Sequence, residues 1–266
     1  MTVWLNGRLM AAAEARIDPA DRGFTLGDGL FETLRVAGGR VCHGDRHLAR
    51  LSAGARVLDL PVPYGPDALA AAMAALIAAR GLEDGVLRLT LSRGTGARGV
   101  PPPPDPHPTV LITAAPLPPP GGPMRAVIAT VTRRNEHSPL SRLKTLNYLD
   151  SVLARQEAAR RGADEALLLN TAGRLAESSV ANLFVVLEGR TVTPPVADGA
   201  LPGIRRALLL ERGHAEERSL TPDDLARAGE AFLANSLGLR PLVAVDGRPV
   251  GNGAPGPVWA ALSAAE

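Results

Sequence analysis

The run Pro116-Leu117-Pro118-Pro119-Pro120-Gly121-Gly122-Pro123 constrains this chain more than any other segment. Proline lacks a backbone N–H and fixes φ, so the run suits neither a helix interior nor a central ladder strand, but it does suit a short semi-rigid spacer. It predicts an amino-terminal α/β domain over 1–117, a linker over 118–123 and a larger carboxy-terminal domain over 124–266. A chain of 266 residues has enough length for each part to bury a core without covalent staples.

Turn chemistry and periodicity organise both parts as mixed α/β (α+β) structure. Asn6-Gly7 sits between two apolar runs as a tight hairpin turn, and Ala37-Gly38-Gly39 separates Phe31 to Val36 from Arg40 to Cys42 in a second hairpin. The stripe Leu48, Leu51, Ala55, Leu58 predicts a helix over 43–58, and Asp67 to Arg80 predicts another, closed by Gly81. Strands are expected at 86–92, 109–115 and 125–132, with a helix over 147–161. Hairpin pairs are expected at 166–176, 182–193 and 232–250, the last turning at Asp246-Gly247, and a helix opens at Pro202-Gly203.

Lys144 is the only lysine among the chain's 29 lysine and arginine residues. A guanidinium stays protonated, whereas a lysine amine that loses its proton attacks a carbonyl and forms a Schiff base. The remaining composition excludes other classes. Net charge is +2 with the basic residues dispersed and aromatics at 3%, which argues against a nucleic-acid face or stacking platform. One cysteine, Cys42, leaves no disulfide pair and no metal cluster. No segment reaches the apolar length of a membrane span, so a cytoplasmic protein is expected.

Schiff-base chemistry calls for an anion site and an acid. Leu201-Pro202-Gly203-Ile204-Arg205-Arg206 opens a helix, where backbone N–H groups and the dipole favour a phosphate, though a plain helix start reads the same way. Asn235-Ser236 ends a strand and offers a hydroxyl. Glu177, among small residues in Ala176-Glu177-Ser178-Ser179-Val180-Ala181-Asn182, could hold a pyridinium proton or lie on a hairpin surface. Arg50, on the first long helix, could be a phosphate ligand or an ordinary ion-paired arginine.

The segments Lys144 to Ala154, the Glu177 run, Leu201 to Arg205 and Leu26-Gly27-Asp28-Gly29-Leu30-Phe31-Glu32-Thr33-Leu34-Arg35 resemble, in order and spacing, the class IV aminotransferases. These are the fold-type IV pyridoxal-phosphate enzymes, among them branched-chain and D-amino-acid aminotransferases and aminodeoxychorismate lyases. The resemblance implies a two-domain fold with pyridoxal 5′-phosphate between the domains, usually in a homodimer, and a small-molecule amino donor with a 2-oxo acid acceptor. It implies that Lys144 is the Schiff-base and proton-transfer lysine and that Glu177 partners the pyridine nitrogen. Arg50, Ser179, the backbone of Ile204 and Arg205, and Ser236 become further cofactor contacts. Tyr148 resembles the tyrosine that touches the cofactor O3′, at a spacing from the lysine one residue shorter.

Subfamilies diverge in the loop Ser92-Arg93-Gly94-Thr95-Gly96-Ala97-Arg98-Gly99-Val100. Arg98 matches the substrate-carboxylate arginine of D-amino-acid aminotransferases, but their accompanying histidine and tyrosine are replaced by Val100 and Phe31, which leaves Phe31 and Arg98 as the substrate-facing pair. The loop and the Gly-Asp-Gly-Leu-Phe-Glu-Thr-Leu-Arg motif look like the lyases. Lys144-Thr145-Leu146-Asn147-Tyr148-Leu149 looks like the aminotransferases. Transamination of an amino acid or amine is expected first, with aminodeoxychorismate cleavage to pyruvate and 4-aminobenzoate as the alternative.

Overall fold

The computed structural model describes residues 1–119 and 121–265; Pro120, inside the expected 118–123 linker, and Glu266 lie outside them. Backbone contacts divide the chain into two compact units. The first holds Met1–Pro119 and Leu143–Asn147, and the second holds the described residues of Pro120–Arg142 and Tyr148–Glu266.

The first unit contains β1 (Thr2–Leu5), β2 (Arg8–Ala11), α1 (Arg22–Leu26), β3 (Gly29–Ala37), β4 (Arg40–Val41), α2 (Gly44–Val57), α3 (Pro66–Arg80), β5 (Gly85–Ser92) and β6 (Thr109–Pro116). Its antiparallel sheet runs β2-β1-β6-β5-β3-β4. Asn6 and Gly7, at φ 44° and 90°, make the first turn, and Gly81 ends α3 in the left-handed region. Strand alternation puts Leu30, Leu34, Leu87, Leu89 and Ile112 on one face, where they pack with Leu48 and Leu51 of α2 and Met73 and Leu76 of α3. Each such large side chain contributes about 1.5–3 kcal/mol by leaving water. The other face carries Phe31, Thr33 and Arg35 of β3 beside Arg88 and Thr90 of β5.

Toward its start, β3 gains a further partner from far along the chain. Phe31 donates to the Lys144 carbonyl at 2.9 Å, Leu146 donates to the Gly29 carbonyl at 3.0 Å, and Leu30 and Thr145 form an antiparallel bridge. The lysine segment falls within the 124–266 range expected for the second domain, yet these bonds tie it to the first unit. Gly29 permits the approach, since a Cβ there would stand 2.3 Å from the Leu91 carbonyl oxygen and 2.8 Å from a Leu146 methyl.

The second unit contains β7 (Met124–Ile128), α4 (Leu149–Arg160), β8 (Glu165–Leu169), β9 (Leu175–Ser178), β10 (Asn182–Leu187), β11 (Arg190–Thr193), α5 (Ile204–Glu211), β12 (Glu216–Glu217), α6 (Pro222–Ala226), β13 (Glu230–Asn235), β14 (Gly238–Val245), β15 (Arg248–Pro249) and α7 (Pro257–Ala264). Its mixed sheet runs β12-β11-β10-β13-β14-β7-β8-β9, with β15 on β14. Leu167, Leu183, Val185 and Leu233 lie in one core, while the stacked rings of Phe184 and Phe232 pack with Leu209 in another.

Three sequence expectations change here. The strand expected to reach Thr132 stops at Ile128, because the N–H groups of Thr130 and Val131 donate to the Glu157 carboxylate of α4 at 2.9–3.1 Å. The single hairpin expected over 232–250 is two, turning at Ser236-Leu237 and again at Asp246-Gly247. Helix α7 was not anticipated; Glu230 accepts from the N–H groups of Val258 and Trp259 in its first turn. Among the described residues, no helix is long and apolar enough to cross a membrane, and no group of His, Cys, Asp and Glu could hold a metal ion.

Burial pushes the Glu157 carboxyl upward, but the N–H groups of Val131 and Thr130, the Thr130 hydroxyl and Arg161 outweigh it and hold the pKa at about 2 against an ordinary 4.5. The depressed folded pKa means that this group's stabilisation is complete above 4.5 and is lost as pH falls toward 2. Chemical unfolding of wild type and Glu157→Gln should therefore differ by a constant amount near neutrality and converge below pH 4.5. A difference that does not narrow with acid would rule out this linkage.

Candidate active site

In the first unit, the bridge to β3 brings the Lys144 Nζ 4.3 Å from the centre of the Phe31 ring. The Arg88 guanidinium lies over the same ring at 3.7 Å. A ring face attracts cations, so Phe31 offers a platform to both. Lys144 and Phe31, named from sequence for different roles, are thus in contact. Arg88 was not singled out from sequence; its signal was an arginine at an outward position of β5, two residues from Thr90, the β-partner of Phe31.

Glu32, next to Phe31, points to the opposite face of β3, where it is buried at 1% exposure against α2. Its carboxylate accepts from Arg50 Nε at 2.8 Å and Nη2 at 2.5 Å, and contacts His47 Nδ1 at 2.7 Å. Burial raises the Glu32 pKa, yet the bonds from His47 and Arg50 win and leave it lowered. Arg50, expected as a phosphate ligand, is thus oriented by a bidentate carboxylate. An acid in phase with Leu30 and Leu34 on an apolar strand was the available signal for Glu32.

The loop after β5 is fastened at its base. Arg22 is buried, donates to the carbonyls of Gly99, Val100 and Pro101 at 2.7–3.2 Å, and pairs with Asp28 at 2.8 Å. Arg93 pairs with the same Asp28 oxygen at 2.8 Å and donates to the carbonyls of Leu58 and Asp59. Burial raises the Asp28 pKa, and the two guanidinium groups more than offset this to lower it. Arg98 stands exposed on the loop beyond these anchors. The sequence did not identify Arg22 as the fastener, because its carbonyl partners lie more than seventy residues away.

In the second unit, Glu177 lies on β9 and is 8% exposed. One carboxylate oxygen meets Arg134 Nη2 at 3.1 Å; the other accepts from the Leu201 N–H at 2.9 Å and from Asn182 Nδ2 at 3.4 Å. Asn182 also donates to the Leu201 carbonyl at 2.9 Å. Glu177 is thereby joined to the segment leading into α5, whose first two residues are Ile204 and Arg205. Gly203 caps that helix without a side-chain hydrogen bond to its first turn. A Cβ at Gly203 would stand 2.0 Å from Asn182 Oδ1, so a side chain there would have to displace the amide that donates to Leu201.

Three other expected residues neighbour Val180, whose carbonyl accepts from Asn235 Nδ2 at 3.5 Å and which lines a groove with Tyr148. The Ser179 hydroxyl donates to Glu165 and its N–H to the Ala166 carbonyl. Ser236 lies in the β13–β14 turn, where the Leu237 N–H donates to Asn235 Oδ1 at 2.9 Å. Tyr148 is the residue before α4 and lines an apolar groove of about 400 Å³ with Val152, Arg155 and Val180.

The family model for "Amino-transferase class IV" matches residues 29–245. A putative branched-chain-amino-acid aminotransferase of Methanocaldococcus jannaschii is 33% identical over 260 residues, covering 95% of this chain and 90% of that protein. A D-alanine aminotransferase of Bacillus licheniformis is 30% identical over 264 residues, covering 97% and 93%. The crystal structure of 4-amino-4-deoxychorismate lyase from Pseudomonas aeruginosa matches with a TM-score of 0.85 at 36% identity, covering 99% of this chain and 97% of that one. With the model spanning most of the chain and relatives similar from end to end, this protein belongs to the class IV aminotransferases.

Proposed function

We propose that the protein uses pyridoxal 5′-phosphate to move the amino group of an amino acid or amine to a 2-oxo acid. The observation that carries this reading is the placement of the sole lysine, whose segment is bonded into the β3 edge with its amine over Phe31. By chemical type the donors in each unit suit the cofactor: in the first a lysine amine for its aldehyde, and in the second the Glu177 carboxylate for its pyridine nitrogen and the start of α5, with no side-chain cap, for its phosphate. When bound, pyridoxal phosphate supplies an electron sink for the pair left when the substrate α-proton departs.

The chain's own groups then have separable tasks. Lys144 would hold the cofactor through its aldehyde carbon and, once displaced from it by the substrate amine, would be free to carry the proton from the substrate α-carbon. Glu177 holds the proton at the pyridine nitrogen. Arg50, steadied by Glu32, adds a charged donor to the phosphate, with the N–H groups of Ile204 and Arg205 and the Ser236 hydroxyl as further contacts. Tyr148 contacts O3′. Ser179 contributes through the turn it stabilises with Glu165, since its hydroxyl is engaged there. Phe31 walls the substrate space, and Arg98 meets the substrate carboxylate. The family resemblance supports a homodimer, and the absence of a spanning helix among the described residues is compatible with work in the cytoplasm.

The lyase reading is favoured by the 36% identity to the Pseudomonas enzyme and by the lyase-like loop at 92–99. Incubation with L-leucine or D-alanine plus 2-oxoglutarate, and separately with aminodeoxychorismate, separates the two. Amino transfer in the first reaction supports the aminotransferase. Pyruvate and 4-aminobenzoate from the second alone would replace it with the lyase.

Borohydride reduction of loaded wild type should fix a pyridoxyl group on the Lys144 peptide, and Lys144→Ala should bind cofactor without fixation. Mass spectrometry that finds the group still attached to the variant would overturn the lysine assignment. Glu177→Gln should retain cofactor but lose most turnover; wild-type steady-state rates would remove its role. Arg98→Leu should cost about 2–4 kcal/mol of transition-state binding for a carboxylate-bearing substrate, about thirty- to a thousand-fold in kcat/KM, while the decarboxylated amine is nearly unaffected. Equal losses for both substrates would make Arg98 a loop residue, and Arg88, over the Phe31 ring, the next carboxylate anchor to test.

A further inference from the structure

Arg134 is held in place over its whole length. Its N–H donates to the Leu169 carbonyl at 2.8 Å, and its backbone bridges to Asn170 at the end of β8. Its Nε donates to the Gly199 carbonyl at 3.1 Å, and Nη2 donates to the Ser141 carbonyl at 2.5 Å. The same Nη2 lies 3.1 Å from Glu177 Oε1. At 20% side-chain exposure this guanidinium is a fixture of the second unit rather than a surface charge.

Its charge matters because of where Glu177 sits. Burial disfavours a carboxylate with 10% of its side chain exposed, and of the two neutral donors at Oε2 only the Leu201 N–H is close, the Asn182 amide standing at 3.4 Å. The Leu201 N–H at 2.9 Å and the Asn182 amide at 3.4 Å orient Oε2 without supplying charge. Arg134, 3.1 Å from Oε1, is the one charged group among these three partners, and an opposite charge at that distance favours the ionised carboxylate. A proton shared by two bases resides on the stronger one. A cation against Glu177 weakens it as a base.

We propose that Arg134 is a positioning residue that keeps Glu177 anionic and weakly basic, so that the shared proton stays on the pyridine nitrogen of the bound cofactor instead of moving to the carboxylate. This inference rests on the reading of Glu177 as the partner of that nitrogen. It adds a role for a residue whose sequence context, one member of the Arg133-Arg134 pair, carries no such signal.

The test is the nitrogen NMR shift of pyridoxal phosphate labelled with ¹⁵N in its ring, loaded into apo wild type, Arg134→Met, Arg134→Lys and Arg134→Gln at one neutral pH. Wild type should show a protonated ring nitrogen. Arg134→Met and Arg134→Gln should move the shift toward the unprotonated value, and Arg134→Lys, which keeps the charge, should hold it near wild type. Loss of a purely structural contact would lower thermal stability and leave the shift alone. A wild-type shift in Arg134→Gln overturns the proposal, and Gln and Lys decide it by themselves should the Met variant fail to fold. A wild type that binds no cofactor overturns the cofactor reading beneath it. A wild type that binds with an unprotonated nitrogen overturns the proposal while leaving the cofactor in place.

Discussion

Two main-chain hydrogen bonds, Phe31 to Lys144 and Leu146 to Gly29, govern much of what this chain can do. Each is worth about 0.5–1.5 kcal/mol net, so their importance lies less in stability than in register. They fix residue 144 opposite the start of β3, and a slip by one residue would turn its side chain to the other face. They also occupy a stretch of strand edge that β4, which pairs only at Val36 and Ala37, leaves to another partner.

Around that frame, buried and half-buried acids join segments that sequence keeps apart. Glu32 ties β3 to α2, Asp28 ties α1 to the loop after β5, Glu157 ties α4 to the segment after β7, and Glu177 ties β9 to the approach of α5. Most of these acids face arginine, whose planar fork reaches two acceptors at once and keeps its charge when buried. A chain with one lysine therefore reserves its ammonium for one place and uses guanidinium groups at these joints.

The features readable in sequence were those decided locally. Asn6-Gly7 and Gly81 each specify a backbone state within a few residues, and the elements around them fall close to expectation. The Leu48 to Leu58 stripe likewise needed only helical spacing. Features decided by a distant partner were not readable in the same way. The strand from Arg125 has apolar continuity past Ile128, and only the Glu157 carboxylate, arriving from α4, ends it. The lysine was conspicuous by composition, but its attachment to β3 depends on a bridge spanning more than a hundred residues. In the candidate site, residue types were readable while their supports were not. Glu177 stood out, whereas Arg134 and Asn182, which orient it, looked like ordinary polar residues.

The fastening of the loop after β5 bears on how such a protein diversifies. Arg22 grips the carbonyls of Gly99, Val100 and Pro101, and backbone carbonyls are present whatever the side chains are. The loop's path is therefore insulated from the identity of Thr95, Ala97 and Arg98, all exposed ahead of the grip. Substitutions there alter what the loop presents without disturbing the sheet that supports it. A lineage can in this way sample new chemical preferences at three surface positions of one loop while the folding of the unit stays under separate selection.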